Sequence, residues 1–144
     1  MVCTFFGHRD CYELNADILE NTINMLINKG VDTFYVGNQG YFDDMVFSTL
    51  LKLHKHRHIS IHIVIAYMPA SKSTDEIYDS YTLYPEELES VHPKFAIDKR
   101  NDWMLERSDY CLCYVNHTWG GAYKFAHRAK CRGLNVINLG RAEL

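Results

Sequence analysis

Glycines and polar side chains follow three apolar, strand-like runs at the points where the runs end. The runs VCTFF, DTFYVG and DYCLCYV each lead into such a loop. Glycine lets the backbone approach a ligand closely, and the free N–H groups where a helix starts favour an anion such as phosphate. The three loops therefore predict a small-ligand site that accepts an anion. Its candidate residues in the loops are Gly7, His8, Arg9, Gly37, Asn38, Gln39, Gly40, Asn116, Thr118, Trp119, Gly120 and Gly121.

Each loop taken alone has a plainer explanation, because strand-to-helix turns use glycine and small polar residues in any α/β protein. Arg9 either pairs with a ligand phosphate through its planar guanidinium or forms a salt bridge with Asp10 or Asp43. His8 either donates to the ligand or is a satisfied loop histidine. Asp43 is a further candidate ligand contact, or simply a favourable first-turn carboxylate of a helix. Trp119 either stacks on a base or covers the sheet edge.

The usual signatures of phosphate and metal sites are missing. The chain contains no GxGxxG and no GxxxxGK[ST], so neither a standard dinucleotide fold nor a P-loop is predicted. His54 and His58 are one helical turn apart, but no carboxylate completes a set of ligands, and we expect no metal and no cofactor. The five cysteines include no CxxC pair and are expected to be reduced core thiols.

Length and charge limit the possible partners. The chain has 144 residues, enough for one domain with its own core over residues 1–144. Its formal net charge is -3 and it has no strongly basic block, so long nucleic acid is not expected as a partner. No signal peptide or membrane-spanning run is visible. We therefore expect a cytoplasmic protein without a membrane partner.

Strand-like runs alternate with helical runs along the chain. Strands are predicted at 2–6, 32–37, 60–67, 109–115 and 135–139, and helices at 15–29, 41–56, 97–106 and from Ala122 to a stop at Gly133. This alternation predicts an α/β fold, a Rossmann-like doubly wound three-layer sandwich around a mainly parallel sheet of about five strands. Such a sheet binds ligands at the carboxyl ends of its strands, where the strand order reverses.

The connection 68–96 is predicted to be irregular, and it carries all three prolines. Connections of this length in a compact domain are usually functional or mobile. Tyr78, Tyr81 and Tyr84 recur in it at every third residue. They form either a stacking lid over the ligand or anchors that hold the connection to the body of the domain.

Four stretches that extend over nearly the whole chain share the pattern of a known family. They are FFGHRD, VGNQGYFDD, FAIDKRNDWMLERSDYCLCYV and GGAYKFAHRAKCRGLNVINL. These stretches resemble the SLOG superfamily, the Rossmann-like group that includes the YpsA-like proteins and the lonely-guy (LOG) phosphoribohydrolases. The resemblance is closest to the YpsA-like branch, whose first strand ends in a similar glycine–histidine–arginine. It implies a nucleotide or nucleotide-derived ligand bound across the loops, and a homodimer or higher homo-oligomer.

The chain departs from the LOG pattern at two positions. LOG enzymes cleave the N-glycosidic bond of a nucleoside monophosphate, and they carry an arginine–lysine pair ahead of a methionine and a PGGxGTxxE loop. The first motif resembles Arg100, Asn101 and Met104 here, which makes Arg100 and Asn101 candidate ligand contacts. The second resembles WGGAYKFAH, with His127 in the place of the glutamate. The arginine and two glycines remain, whereas the lysine and the glutamate are replaced.

The missing glutamate bears on whether the protein binds or cleaves its ligand. Glycosidic cleavage passes through a cationic sugar that a carboxylate stabilises or attacks, and histidine does not supply that charge. We therefore expect a binding protein that acts as a sensor or sequestering module. The alternative is an N-glycosidase of the phosphoribohydrolase or nucleoside deoxyribosyltransferase type, in which Asp43, Asp10 or Glu89 supplies the carboxylate. A protein-interaction module with a vestigial pocket is a third reading.

The loops also suggest where the parts of a nucleotide would lie. The phosphate is expected on the loops at Gly7 and at Gly120 to Gly121. The base is expected near Asn38, Gln39 and the three tyrosines of the connection.

Overall fold

Six parallel strands form one sheet in the computed structural model of the protein, which describes residues 1–69 and 75–144. The strands are β1 (Val2–Gly7), β2 (Thr33–Val36), β3 (Ser60–Val64), β4 (Thr82–Leu83), β5 (Tyr110–Tyr114) and β6 (Asn135–Asn138). Their order in the sheet is β4-β3-β2-β1-β5-β6. The chain adds strands on one side of β1 as far as β4 and then places β5 and β6 on the other side. The strand order therefore reverses between β1 and β5, the point where open α/β sheets hold their ligands.

Helices cover both faces of this sheet. They are α1 (Ala16–Asn28), α2 (Tyr41–His54), α3 (Glu76–Tyr81), α4 (Ala96–Glu106) and α5 (Gly120–Cys131). The apolar sides of α1 and α2 pack into one core, and those of α4 and α5 pack into the core on the opposite face. The predicted α/β class and three-layer, Rossmann-like arrangement are confirmed.

Side chains of β1 and β5 alternate between the two cores, as the two-residue period of a strand requires. Phe5 and Leu112 lie in the core beneath α1 and α2, whereas Phe6 and Cys113 lie in the core beneath α4 and α5. Because both faces are buried, these strands are almost continuously apolar. The loops that follow β1 and β5 therefore start from strands that are packed on both sides.

Four elements in the described part of the connection 68–96 are not predicted from the sequence: α3, β4 and two 3-10 helices, Glu86–Leu88 and Pro93–Phe95. Helix α3 has six residues, and the side chain of Asp75 accepts a hydrogen bond from the Tyr78 N–H at its start (3.0 Å). Strand β4 has two residues, which pair with the end of β3 and give the sheet its sixth strand. Elements this short show no periodicity in the sequence. Residues 70–74 of the connection lie outside the described part of the chain.

Helix α5 begins at Gly120, earlier than its predicted start at Ala122. The two glycines resemble a turn in the sequence, but only Gly120 has a backbone that favours glycine, with φ of +89°. Across residues 1–69 and 75–144, no helix is both long and apolar enough to span a membrane.

Candidate functional site

A cleft of about 430 Å³ opens at the carboxyl ends of the central strands, beside the point where the strand order reverses. Loops after β1, β2 and β5 and one side of α4 line it. The structure therefore brings together the loops that the sequence marks as candidates. The candidate residues that line the cleft are Gly7, His8, Arg9, Gly37, Gln39, Asp43, Arg100, Asn101, Trp119, Gly120 and Gly121.

Four candidate residues do not line the cleft. Three of them contact or lie close to a residue that does line it. Asn38 accepts a hydrogen bond from Arg100 Nη1 (3.3 Å). Gly40 has φ of +106°, and a methyl group added there would lie 2.7 Å from Arg9 Cγ. The Asn116 N–H donates to His8 Nε2 (2.9 Å). The fourth, Thr118, is exposed beside the cleft.

Arg100 is the most buried charged residue of the cleft, with 2% of its surface exposed. Its Nε donates to Asn101 Oδ1 (2.8 Å), and its Nη1 donates to the Val64 carbonyl (2.8 Å) and to Asn38. All of these acceptors are neutral. No carboxylate of the described residues forms an ion pair with the guanidinium. Burial consequently lowers the pKa of Arg100, against the opposing effect of the nearby Asp43 charge.

Asp43 lies beside Arg100 at the start of α2, and Gly37 makes room for both. A methyl group added at Gly37 would lie 2.9 Å from Asp43 Oδ2 and 3.1 Å from Arg100 Nη1, so a larger residue there would displace one of these side chains. Asp43 Oδ2 accepts a hydrogen bond from the Gln39 N–H (2.8 Å). Burial raises the pKa of Asp43 to about 6, although that hydrogen bond and the Arg100 charge oppose the rise. The carboxyl group can thus exchange a proton near neutral pH.

The amino end of α5 forms one wall of the cleft. Among the described residues, no side chain caps this helix, and Gly120, Gly121 and Ala122 of its first turn line the cleft. A methyl group added at Gly121 would meet no described atom within 4 Å, and its φ is not positive. Neither backbone conformation nor packing within the described chain therefore requires glycine at position 121.

Three aromatic rings stack on the same side of the cleft. The ring centroids of His8 and His117 are 3.9 Å apart with an interplanar angle of 18°, and those of His117 and Trp119 are 3.9 Å apart at 16°. Burial, followed by the neighbouring His117, lowers the pKa of His8. Sequence reasoning does not single out His117, because the stack joins β1 to the loop after β5 and no local pattern marks such a contact.

The tyrosines of the connection act as anchors and not as a lid. Tyr78 and Tyr81 both pack edge-on against Phe47, with ring centroids 5.8 Å away in each case. Tyr84 also packs against the core, and within the described residues none of the three lines the cleft. The anchoring alternative therefore fits the structure.

The remaining acidic, basic and histidine candidates differ in whether they line the cleft. Asp10 lines the cleft with Asp43, whereas Glu89 is exposed elsewhere. Arg9 forms no ion pair with any described carboxylate. His127 lies on α5 outside the cleft, stacked on Tyr123. Within residues 1–69 and 75–144, no three histidine, cysteine or acidic side chains are grouped so that they could hold a metal ion.

Comparison with known proteins adds no assignment. The chain matches no protein-family model, and a search of curated proteins finds no match. The resemblance to the SLOG superfamily therefore stays a prediction, and function has to be inferred from the cleft itself.

Proposed function

We propose that the protein binds a nucleotide or nucleotide-derived small molecule in this cleft, as a sensor or sequestering module. The observation that carries the proposal is Arg100, a buried cation that lines the cleft, has the Asp43 charge nearby, and forms no direct ion pair with any carboxylate of the described residues. A buried charge is costly unless an opposite charge balances it. A phosphate in the cleft would supply that charge, and the planar guanidinium suits phosphate geometry.

The α5 wall supports the same ligand chemistry. Uncapped N–H groups and the helix dipole at an amino end favour an anion. Packing within the described chain does not require glycine at position 121, and Gly121 leaves open space next to these N–H groups. The phosphate would therefore lie between Arg100 and the first turn of α5, with Arg9 adding positive charge at the exposed rim.

The rest of the cleft suits the sugar of a small nucleotide better than a long polymer. Its volume of about 430 Å³ lies in the range of small-molecule sites. Asp43 and Asp10 would accept hydrogen bonds from sugar hydroxyl groups, while their charge disfavours a continuous phosphate backbone. The formal net charge of -3 also disfavours binding of a long nucleic acid.

A thermal-shift screen tests the proposal. The panel would contain nucleoside monophosphates, cyclic nucleotides and ADP-ribose derivatives. A ligand at a hundred times its Kd stabilises the folded state by about 2.7 kcal/mol, which raises the melting temperature by several degrees. A panel that leaves the melting temperature unchanged would favour the third reading, an interaction module with a vestigial pocket.

Arg9→Ala shows whether binding occurs in the cleft. Its exposed side chain contributes little to folding, so a reduced shift with the best ligand would report lost binding. The matched control is Arg132→Ala, at the far end of α5, where the arginine makes one long contact of 3.5 Å with Asp102. The control should retain the full shift.

The proposal has two further parts, an oligomeric state and a cellular location. The resemblance alone suggests a homodimer or higher homo-oligomer, which sedimentation equilibrium would measure. A cytoplasmic, reducing location fits the five cysteines, all of which are free in the structure. Four of them are buried as expected, whereas Cys131 is exposed and is not a core thiol.

The alternative function is an N-glycosidase, and Asp43 is the observation that favours it. The carboxylate lies in the cleft beside Arg100. Its pKa is about 6, so it is mostly ionised when the pH is above that value. In that role it would stabilise the cationic sugar while water replaces the base, releasing free base and ribose 5-phosphate. Incubation with nucleoside monophosphates followed by detection of free base would reveal turnover. Asp43→Asn should abolish it, whereas Glu89→Gln, outside the cleft, should not.

A further inference from the structure

The ring stack at the rim of the cleft ends in an indole with an open face. One face of Trp119 lies against His117, with ring centroids 3.9 Å apart. Even so, 67% of Trp119 is exposed, and the residue lines the cleft. The surface left uncovered must include much of the opposite ring face. Apolar surface of this size is normally removed from water when something can cover it.

Each imidazole beneath the indole is held by a contact to the backbone. His8 Nε2 accepts a hydrogen bond from the Asn116 N–H (2.9 Å), and His117 Nδ1 lies 3.0 Å from the Trp119 carbonyl oxygen. The stack therefore links the loop after β1 to the loop before α5 and orients the plane of the indole. A surface that is fixed in advance loses little entropy when it binds a second flat ring.

The position of Trp119 relates this ring surface to the proposed phosphate position. Trp119 directly precedes Gly120 and Gly121, so the indole and the amino end of α5 are adjacent. The predicted base position near Asn38 is less suitable, because Asn38 is bound to Arg100 and also hydrogen-bonded to the side chain of Tyr78. The tyrosines that would have formed a lid pack on Phe47.

We propose that the open face of Trp119 is the stacking surface for a nucleobase, and that His8 and His117 position it. The inference rests on the proposed nucleotide function and specifies it further. The ligand joins a flat aromatic ring to its anionic group, so a nucleotide should bind more tightly than a sugar phosphate that lacks a base.

Titration of AMP, ribose 5-phosphate and inorganic phosphate into Trp119→Ala tests the base contact. Loss of one base–aromatic stack should weaken AMP binding roughly 5- to 100-fold and leave the other two probes unchanged. The matched control is Phe95→Ala, which removes another exposed aromatic side chain (53%) that does not line the cleft. It should bind AMP like the unmodified protein.

Fluorescence gives a second readout of the same contact. Trp103 and Trp119 are the two tryptophans of the chain, so Trp103→Phe leaves Trp119 as the only indole. A base stacked on Trp119 should quench its emission when AMP is added, whereas ribose 5-phosphate should not. His117→Ala should reduce both the quenching and the affinity, and His117→Phe, which restores a flat ring, should recover them.

The outcomes separate this inference from the proposed function. Equal AMP affinity in Trp119→Ala and the unmodified protein would overturn the stacking role but leave an anion-binding cleft. Ribose 5-phosphate that binds as tightly as AMP would overturn it too. If none of the nucleotides binds, the proposed function and the stacking surface both fail.

Discussion

The glycines on the two walls of the cleft differ in what surrounds them. On the β wall, formed by Gly7 and Gly37, the space that a side chain would need is filled by the protein itself. A methyl group at Gly7 would lie 2.2 Å from the Phe42 ring, and one at Gly37 would meet Asp43 and Arg100. On the α5 wall, formed by residues 119–121, the space beside Gly121 is open. The β wall is therefore built by packing, and the α5 wall is the side where we propose that the ligand binds.

The largest change in the free energy of unfolding is expected from Gly7→Ala, on the β wall. The added methyl group has no room beside the Phe42 ring, which must shift with the α2 residues that surround it. Overpacking of this kind should lower the free energy of unfolding by about 3 kcal/mol. Urea denaturation would measure the loss. A change below about 0.5 kcal/mol would show that the β wall is not packed as described.

Asp43→Asn is expected to change the free energy of unfolding by less than Gly7→Ala does, and to raise it instead of lowering it. Burial raises the pKa of Asp43 from 3.8 in the unfolded chain to about 6 in the folded protein. The folded state therefore binds more protons between these values, and the carboxyl group costs stability increasingly as the pH rises through them. Replacing it with the amide should raise the free energy of unfolding by about 2 kcal/mol at pH 7.5, after allowance for its partial exposure. Below pH 4 the two proteins should be about equally stable.

Urea denaturation across pH 3.5 to 8 would measure this difference. The matched control is Asp44→Asn, which removes an exposed carboxylate from the same turn of α2. It should change stability by less than about 0.5 kcal/mol. A constant difference between Asp43→Asn and the unmodified protein over the whole range would contradict the raised pKa.

The smallest change in stability is expected on the α5 wall, from Gly121→Ala. The methyl group meets open space, and alanine is preferred to glycine within a helix, so stability should rise by about 0.5 kcal/mol or slightly more. The same methyl group occupies the proposed phosphate position, and AMP binding should weaken roughly tenfold. Calorimetric titration together with urea denaturation would show whether stability and affinity move in opposite directions. If Gly121→Ala binds AMP as tightly as the unmodified protein, the α5 wall is not the side on which the phosphate binds.

Much of this arrangement can be predicted from the sequence, because it follows from local patterns. Buried parallel strands are nearly continuous apolar runs, and their alternation with helices determines the class of fold. Glycine-rich loops after β1, β2 and β5 then have to meet near one edge of the sheet. This reasoning places Arg9, Gly37 and Gly121 together, and the structure brings all three into the cleft.

Contacts between distant segments could not be predicted in the same way. The stack of His8 on His117 depends on the exact register of β1 and β5, which no local pattern specifies. Asn38 follows β2 as expected, but its side chain accepts a hydrogen bond from Arg100 and does not line the cleft. Arg100 itself is a candidate only through the family resemblance, since a polar residue beside an apolar helix stripe usually faces solvent.

The most direct test of the central claim is a calorimetric comparison of each nucleoside monophosphate with its own nucleoside. The cleft is proposed to bind because, among the described residues, no carboxylate pairs directly with Arg100 and no side chain caps the amino end of α5, so the phosphate should provide most of the affinity. At least one monophosphate should bind at least tenfold more tightly than its nucleoside. The account is contradicted if every nucleoside binds as tightly as its monophosphate, or if no monophosphate binds.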